Sequence, residues 1–210
     1  MMKNRFHSRR EFAKLVFAGV PALTALQGTT LHAQSAPGSN RSRINGVQFG
    51  LQPFCYHDLV MTPDNRRTLI NRLVQNGLGM VELHATWVEP RFAAAGVSAE
   101  AARDKIRQWR LTTPPAFYQS IRKEFDDAGI AIFSYYVNLD DSYTDAEIDA
   151  VFKGAKILGA EGCVGSQGLR LTERLAAFPG KHGMFMGVHN HANLSDPDAL
   201  NNEASFVKAL

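Results

Sequence analysis

Two histidines stand two positions apart in Val188-His189-Asn190-His191, directly after an apolar run. If that run is a strand, residues two apart project in the same direction, so both imidazoles face one site. Imidazole nitrogens bind zinc, manganese or iron, and they also hydrogen-bond to sugar hydroxyls. A divalent metal usually takes three or four protein ligands. The pair is therefore either part of a larger site or two exposed loop side chains.

A carboxylate and a third histidine occur together in the short apolar segment from Met80 to His84. An ionised Glu82 in a buried strand needs a partner or a ligand to offset its lost hydration. The alternative is a structural ion pair with a neighbouring Arg or Lys. His84 lies two residues from Glu82, so both side chains face the same way in a strand.

Other side chains have the chemistry of a sugar-binding wall. His57 can donate or accept a hydrogen bond, and Asn138 can do both. Trp87 and Tyr136 offer aromatic faces on which a sugar ring can stack, although core packing is the commoner use of such residues. For His57, a helix-capping or surface role is an equal alternative.

The elements that must position these residues are alternating strands and helices, each with its own start and stop signals. The pattern predicts five strands: 47–54, 80–84, 130–137, 163–164 and 184–188. It predicts helices at 63–76, 99–109, 114–128, 144–158, 171–178 and 197–210. Thr144 and Glu147 have the spacing of a capping box, and Pro179-Gly180 is expected to end the short fifth helix.

Five consecutive βα units fit either an open doubly wound sheet or part of an eightfold barrel. No Gly-x-Gly-x-x-Gly follows the first strand, where a dinucleotide-binding fold would have it. Polar or ionisable residues instead follow nearly every strand, which is where a (β/α)8 barrel has its active site. These residues are His57, Glu82, His84, Tyr136, Asn138, Ser166, Gln167, His189 and His191.

The N-terminus has the layout of an export signal. Arg9 and Arg10 precede Phe12 and Lys14, and a short apolar run and small residues follow, ending at Ala33. This order is typical of a twin-arginine signal peptide over 1–33, with an ordinary secretory signal as the alternative. A polar linker is expected over 34–45 and a single domain over 46–210. The predicted location is periplasmic or secreted, with no membrane anchor after cleavage.

Composition excludes several classes of protein. The chain has 210 residues, of which 45% are hydrophobic and 20% charged, a soluble globular profile. Residues 34–210 carry 18 basic and 19 acidic side chains, so the domain has no electrostatic footprint for nucleic acid. Cys55 and Cys163 permit a disulfide but do not demand one, and two buried thiols are the simpler interpretation.

Five segments at or near the strand ends carry a family pattern: Gln52-Pro-Phe54, Leu78-Gly-Met-Val-Glu82, Gly129-Ile-Ala-Ile-Phe-Ser-Tyr135, Leu158-Gly-Ala-Glu-Gly162 and Val188-His-Asn-His191. Together they resemble the xylose-isomerase-like barrel superfamily of sugar phosphate isomerases and epimerases. The resemblance extends over about 46–210. With its twin-arginine leader, the chain looks like the exported members of this superfamily. It implies a (β/α)8 TIM barrel, a small sugar as substrate and proton transfer next to a sugar carbonyl.

The resemblance also implies a divalent metal, Mn, Zn or Mg, held by carboxylates and a histidine from later strands. In the family's Glu-Asn-His context the first ligand is a Glu, and His189 stands at that position here. The resemblance thus assigns catalytic roles to Glu82 and His189, with His189 also as a metal ligand. Sugar contacts fall to His57, His84, Trp87, Tyr136, Asn138 and His191. The family's remaining ligands, an Asp, a His and a final Glu, have no counterpart.

Length favours a partial barrel, because such a barrel takes about 250 residues and 34–210 comprises 177. We therefore expect a C-terminally truncated chain with about five βα units. The first functional hypothesis is a metal-dependent sugar isomerase or epimerase, inactive if incomplete. The alternative is a non-catalytic periplasmic carbohydrate-binding or interaction protein. An endonuclease of the same superfamily is disfavoured, because it needs a richer metal cluster and a basic surface.

Overall fold

The computed structural model describes residues 42–191 and 195–209. The predicted signal peptide, 1–33, and all but the last four residues of the predicted linker lie outside the described residues. No helix within the described ranges has the length and apolar character needed to cross a membrane.

A four-stranded parallel sheet is the centre of the fold. Its strands are adjacent in chain order, each paired with the next along the sequence. A doubly wound sheet reverses its strand order at a switch point, whereas a barrel does not. The predicted α/β class is therefore confirmed, with the singly wound order of barrel βα units. The strands are β3 (Met80–His84), β4 (Ala131–Tyr136), β5 (Gly162–Gly165) and β6 (Phe185–Val188).

The first predicted strand, 47–54, is only partly formed. Its first two residues, Val47–Gln48 (β2), pair antiparallel with Arg43–Ile44 (β1) in a small hairpin. Leu51 alone reaches the sheet, as a parallel bridge to Val81 at the outer edge of β3. Pro53 has no N–H for a sheet ladder, and Pro53–Cys55 turns into a 3-10 helix, so pairing stops there.

Helices follow the strands as the sequence signals predict. Each of the central helices ends close to the predicted stop, and Gly159 ends the helix Asp145–Leu158 in the left-handed conformation, at φ +90°. The helices are α1 (Arg66–Gln75), α2 (Ala99–Thr112), α3 (Pro115–Asp127), α4 (Asp145–Leu158), α5 (Leu169–Leu175), α6 (Ala177–His182) and α7 (Glu203–Ala209).

Two helix predictions are wrong in detail. The predicted helix 171–178 is two short helices, and Pro179 lies inside α6 rather than ending it. Pro179 occupies the first turn of α6, where a backbone N–H has no partner within the helix, so the ring is tolerated. The last helix begins at Glu203 instead of Pro197, since the intervening residues form turns in which Asp196 accepts a hydrogen bond from the backbone N–H of Asp198.

The core lies on one face of the sheet. Val81 and Leu83 of β3 are fully buried among the helices. Glu82 and His84, which alternate with them along the strand, are half-buried on the other face. On that second face Phe133 and Phe185 remain partly exposed and pack against each other, with ring centroids 5.6 Å apart. The sheet thus has a helix-covered face and a face that is open in the described residues, as expected of a barrel wall seen from its interior.

A buried ion-pair network connects the helix layer to the sheet. Glu147 of α4 is completely buried, and its carboxylate accepts hydrogen bonds from Arg103 (2.6 and 2.8 Å) and Arg110 (2.7 Å) of α2. Arg110 also binds Glu89, in the loop after β3, through two of its nitrogens. Glu89 in turn accepts a hydrogen bond from the Tyr135 hydroxyl at 3.2 Å.

The network changes one sequence prediction. The Thr144 hydroxyl accepts a hydrogen bond from the Glu147 N–H, as in a capping box. The Glu147 carboxylate does not complete the box, because it binds the two arginines instead. Burial by itself would lower the pKa of Arg110, but the hydrogen bond and charge of Glu89 raise it above its ordinary value.

We expect Glu147→Gln to lower the free energy of unfolding by about 3 kcal/mol, because it removes the charge that compensates buried guanidinium groups. Urea unfolding of the full chain, followed by circular dichroism, measures this loss. The control is Asp127→Asn, which breaks the exposed Lys123–Asp127 pair and should cost less than about 1 kcal/mol. Equal small losses in both variants would contradict the assigned role of the network.

Candidate functional site at the carboxyl ends of the strands

Tyr136, the last residue of β4, is the centre of a cluster at the carboxyl ends of the parallel strands. The His84 ring stacks on it with centroids 4.5 Å apart and an interplanar angle of 23°. His189, directly after β6, meets it edge to face at 5.6 Å. The Tyr136 hydroxyl lies 2.9 Å from the Ser166 hydroxyl, so residues at the carboxyl ends of four strands come together at this one ring.

Glu82 lies one step below this cluster, beside Ser134. The register of β3 and β4 shifts between Val81 and Glu82, with Phe133 as the extra residue, and this places Glu82 next to Ser134 and His84 next to Tyr136. The Ser134 hydroxyl donates to Glu82 Oε2 at 2.8 Å. Within the described ranges Glu82 has no ion pair. These residues therefore do not support the alternative prediction that an Arg or Lys side chain pairs with Glu82.

His84 is held in one orientation as a neutral ring. Its Nδ1 accepts a hydrogen bond from the Thr86 backbone N–H at 3.2 Å and lies 2.9 Å from the Thr86 hydroxyl. Burial lowers the pKa of His84 to about 4, because the charged form loses hydration. A neutral ring that accepts at Nδ1 carries its hydrogen on Nε2, so His84 can donate a hydrogen bond from that atom at neutral pH.

A hydrogen-bonded chain extends the cluster to the exposed rim. The Ser166 hydroxyl lies 3.0 Å from Nε2 of His191, and the Ser166 backbone N–H donates to Oδ1 of Asn138 at 3.0 Å. The rings of His189 and His191 are 4.9 Å apart and tilted by 52°. The two histidines predicted to share a site are therefore neighbours.

Two clefts flank the cluster. One of about 460 Å³ lies beside the loop after β3, and His84, Thr86, Glu89, Asn138 and Tyr143 are among the residues that line it. The other, of about 490 Å³, lies beyond β5 and β6, and Ser166, Gln167, His189, His191, Asp196 and Asp198 are among its lining residues. Each volume is within the range of pockets that take small molecules.

Two predicted sugar contacts lie elsewhere. Trp87 is completely buried in the core, so neither face of its ring is open for the predicted stacking on a sugar. The 3-10 turn Ala85–Trp87 carries its side chain to the helix-covered side. His57 is exposed and contacts Phe54 edge to face at 5.8 Å, and no described contact connects it with the strand-end cluster. A wall role for His57 stays a prediction.

The predicted metal site is incomplete within 42–191 and 195–209. No three His, Cys, Asp or Glu side chains in those ranges come together as a ligand set. His189 and His191 supply two imidazoles, and Nε2 of His191 is turned toward the Ser166 hydroxyl. The described residues thus do not by themselves fit a divalent metal.

Sequence reasoning named Ser166 only as a polar residue after a strand and overlooked Ser134 and Thr86. The signal for Ser134 was present, because a serine inside the apolar strand 130–137 needs a hydrogen-bond partner. Thr86 follows His84 at the two-residue distance over which a side chain caps the next turn. Neither signal reveals which partner is chosen, since that depends on the strand register.

Of the known proteins compared with this chain, only solved structures are similar to it. The chain matches neither a protein-family model nor a curated protein. It is similar to a solved structure of an uncharacterized protein from Parabacteroides distasonis ATCC 8503, with 19% identity, a TM-score of 0.48, and coverage of 68% of this chain and 52% of that one. A sugar phosphate isomerase/epimerase from the same organism has 18% identity and a TM-score of 0.47, with 83% and 66% covered.

A third similar structure is a probable 3-DHS dehydratase, involved in petrobactin synthesis, from Bacillus anthracis. It has 12% identity and a TM-score of 0.48, with 78% of this chain and 58% of that chain covered. The chain thus spans between about half and two thirds of the length of these structures. At such low similarity, these matches do not support the barrel assignment. The assignment depends instead on the strand order of the parallel sheet.

We expect His84 to titrate with a midpoint near pH 4, because burial disfavours its charged form. Between pH 6.5 and 4 the unfolded chain would bind a proton that the folded chain does not, so this group makes the fold less stable as the pH falls. NMR titration of the histidine ring protons measures the midpoint, with His84→Asn to assign the signal. A midpoint near 6.5 would contradict the buried, neutral ring.

Proposed function

We propose that this protein binds a small sugar at the carboxyl ends of its parallel strands and moves a proton next to the sugar carbonyl, as an isomerase or epimerase does. The observation that carries the proposal is the convergence of Glu82, His84, Tyr136 and His189 on one open face of the sheet. The sequence resemblance to sugar phosphate isomerases and epimerases points in the same direction.

Glu82 is the group that would take the proton. Its carboxylate is half-buried and receives a hydrogen bond from Ser134 at Oε2, which holds the side chain in place. Among the described residues no donor binds its other oxygen, so the lone pairs of that atom are available to a substrate. A positioned carboxylate that removes a proton from the carbon next to a carbonyl typically contributes about 100- to 10,000-fold to the rate.

His84, Tyr136 and His189 would hold the sugar. His84 presents an Nε2–H donor from a ring that Thr86 and Tyr136 keep fixed. Asn138 lies at the end of the same strand as Tyr136 and lines the cleft beside His84. Hydrogen-bond donors and acceptors placed beside aromatic rings are suited to the hydroxyl groups and the apolar ring face of a sugar.

A carbohydrate-binding protein without turnover is the second candidate. The observation that favours it is that, within the described ranges, His189 and His191 have no third His, Cys, Asp or Glu beside them, which is fewer ligands than the resemblance implies. Binding needs only the hydrogen-bonding wall, whereas the isomerase scheme of the resemblance also needs Mn, Zn or Mg to polarise the carbonyl. We also propose that the protein is exported by the twin-arginine route, on the basis of the sequence of residues 1–33.

Deuterium exchange separates the two candidates. The purified full chain is incubated in D2O with each of a panel of aldoses and ketoses, free and phosphorylated, with and without added Mn²⁺, Zn²⁺ or Mg²⁺. We expect one sugar to gain deuterium at the carbon next to its carbonyl, as seen by NMR, because proton transfer there exchanges with solvent. Binding without exchange would support the carbohydrate-binding alternative.

We expect Glu82→Gln to reduce the exchange rate by roughly 100-fold or more while sugar affinity, measured by calorimetry, changes little. The matched control is Glu161→Gln, which alters an exposed glutamate just before the amino end of β5, at the opposite edge of the sheet. Equal exchange rates for Glu82→Gln and Glu161→Gln would remove Glu82 from the proposed reaction.

A further inference from the structure

Ser166 and His191 form a close hydroxyl–imidazole pair at the rim of the cluster. We propose that Ser166 is a nucleophile for acyl transfer from small, neutral esters, with His191 accepting its proton. This activity goes beyond sugar isomerisation and does not depend on it.

Three contacts position Ser166. Ser166 Oγ lies 3.0 Å from Nε2 of His191, within the reach that a nucleophile and its base require. The Tyr136 hydroxyl, 2.9 Å away, contacts the same oxygen from the buried side. The Ser166 backbone N–H is fixed on Asn138, so the residue has a defined position.

The place of Ser166 in the fold also suits a nucleophile. It directly follows β5 and precedes α5 by only two residues, a strand-to-helix turn that exposes a side chain at the carboxyl edge of the sheet. Ser120, by contrast, donates its hydroxyl to the Phe117 carbonyl within its own helix. Ser134 donates to the Glu82 carboxylate. A hydroxyl bound to an imidazole can lose its proton to a neutral base, which makes its oxygen a better nucleophile.

The reaction balances without any further reactant except water. Ser166 Oγ forms a bond to the acyl carbon, and its proton moves to Nε2 of His191. The bond from that carbon to the alcohol oxygen then breaks, and the proton passes from His191 to the departing alcohol. Water then attacks the acyl-serine, which releases the carboxylic acid and restores the hydroxyl. The side-chain amide of Asn138, whose Oδ1 holds the Ser166 N–H, has a second atom, Nδ2, that can donate to the developing oxyanion.

The cleft beside the pair defines the ester class. Ser166 and His191 both line the cleft of about 490 Å³, which is large enough for an acetyl or similarly short acyl group with its alcohol. Asp196 lies on the same cleft, so an anionic acyl group would meet like charge there, whereas the Asp198 carboxylate is paired with Arg170 at 3.3 Å. Short, uncharged esters are therefore the expected substrates.

The test uses diisopropyl fluorophosphate, which forms a covalent bond to activated serine hydroxyls and releases fluoride. The full chain is treated in the absence of sugar, and the adduct is located by intact mass and peptide mapping. We expect a single adduct on Ser166, none in Ser166→Ala, and a labelling rate in His191→Gln that is lower by about 100-fold or more. Ser120→Ala should be labelled at the rate of the unaltered chain.

Circular dichroism of each variant before treatment shows whether it is folded, and a folded Ser166→Ala that still gains the adduct elsewhere would overturn the proposal. Absence of an adduct on Ser166 in the unaltered chain, or equal rates with and without the His191 imidazole, would overturn it as well. Because no sugar is present, failure of deuterium exchange has no bearing on this result.

Discussion

Compensation of the buried Glu147 carboxylate is the constraint on which the rest of the structure depends. A charge removed from water is tolerated only when it is paired and hydrogen-bonded. Arg103 and Arg110 supply both, and Arg110 continues the chain of ion pairs to Glu89. In this way two helices and the loop after β3 are tied together by charges that cannot separate without a large cost.

The same network fixes the candidate site through two adjacent tyrosines of β4. Tyr135 faces the helices and donates to Glu89, and burial raises its pKa so that the hydroxyl keeps its proton. Tyr136 faces the other side of the sheet and contacts His84, His189 and Ser166. Because neighbouring strand residues point to opposite faces, anchoring one tyrosine sets the position of the other.

The sequence predicted most of the fold because its signals are local. β3 begins and ends at the predicted residues, since the apolar residues Met80, Val81 and Leu83 are a local signal that needs no distant information. The same holds for the α4 termini at Thr144 and Gly159. The site was predicted less completely, because the pairing of Glu82 with Ser134 depends on a register shift at Phe133 that no local pattern encodes. Trp87 was misplaced for a similar reason, since a 3-10 turn decides which side of the sheet its ring reaches.

We propose that the strand ends form one sugar-binding surface around Tyr136. Chemical-shift mapping of the ¹⁵N-labelled full chain against the sugar that binds with the highest affinity tests this claim most directly. We expect the largest shifts on the backbone amides of 82–86, 136–138, 166 and 189–191. Shifts concentrated instead on the helix layer, for example along α4, or no saturable shifts with any sugar, would contradict it.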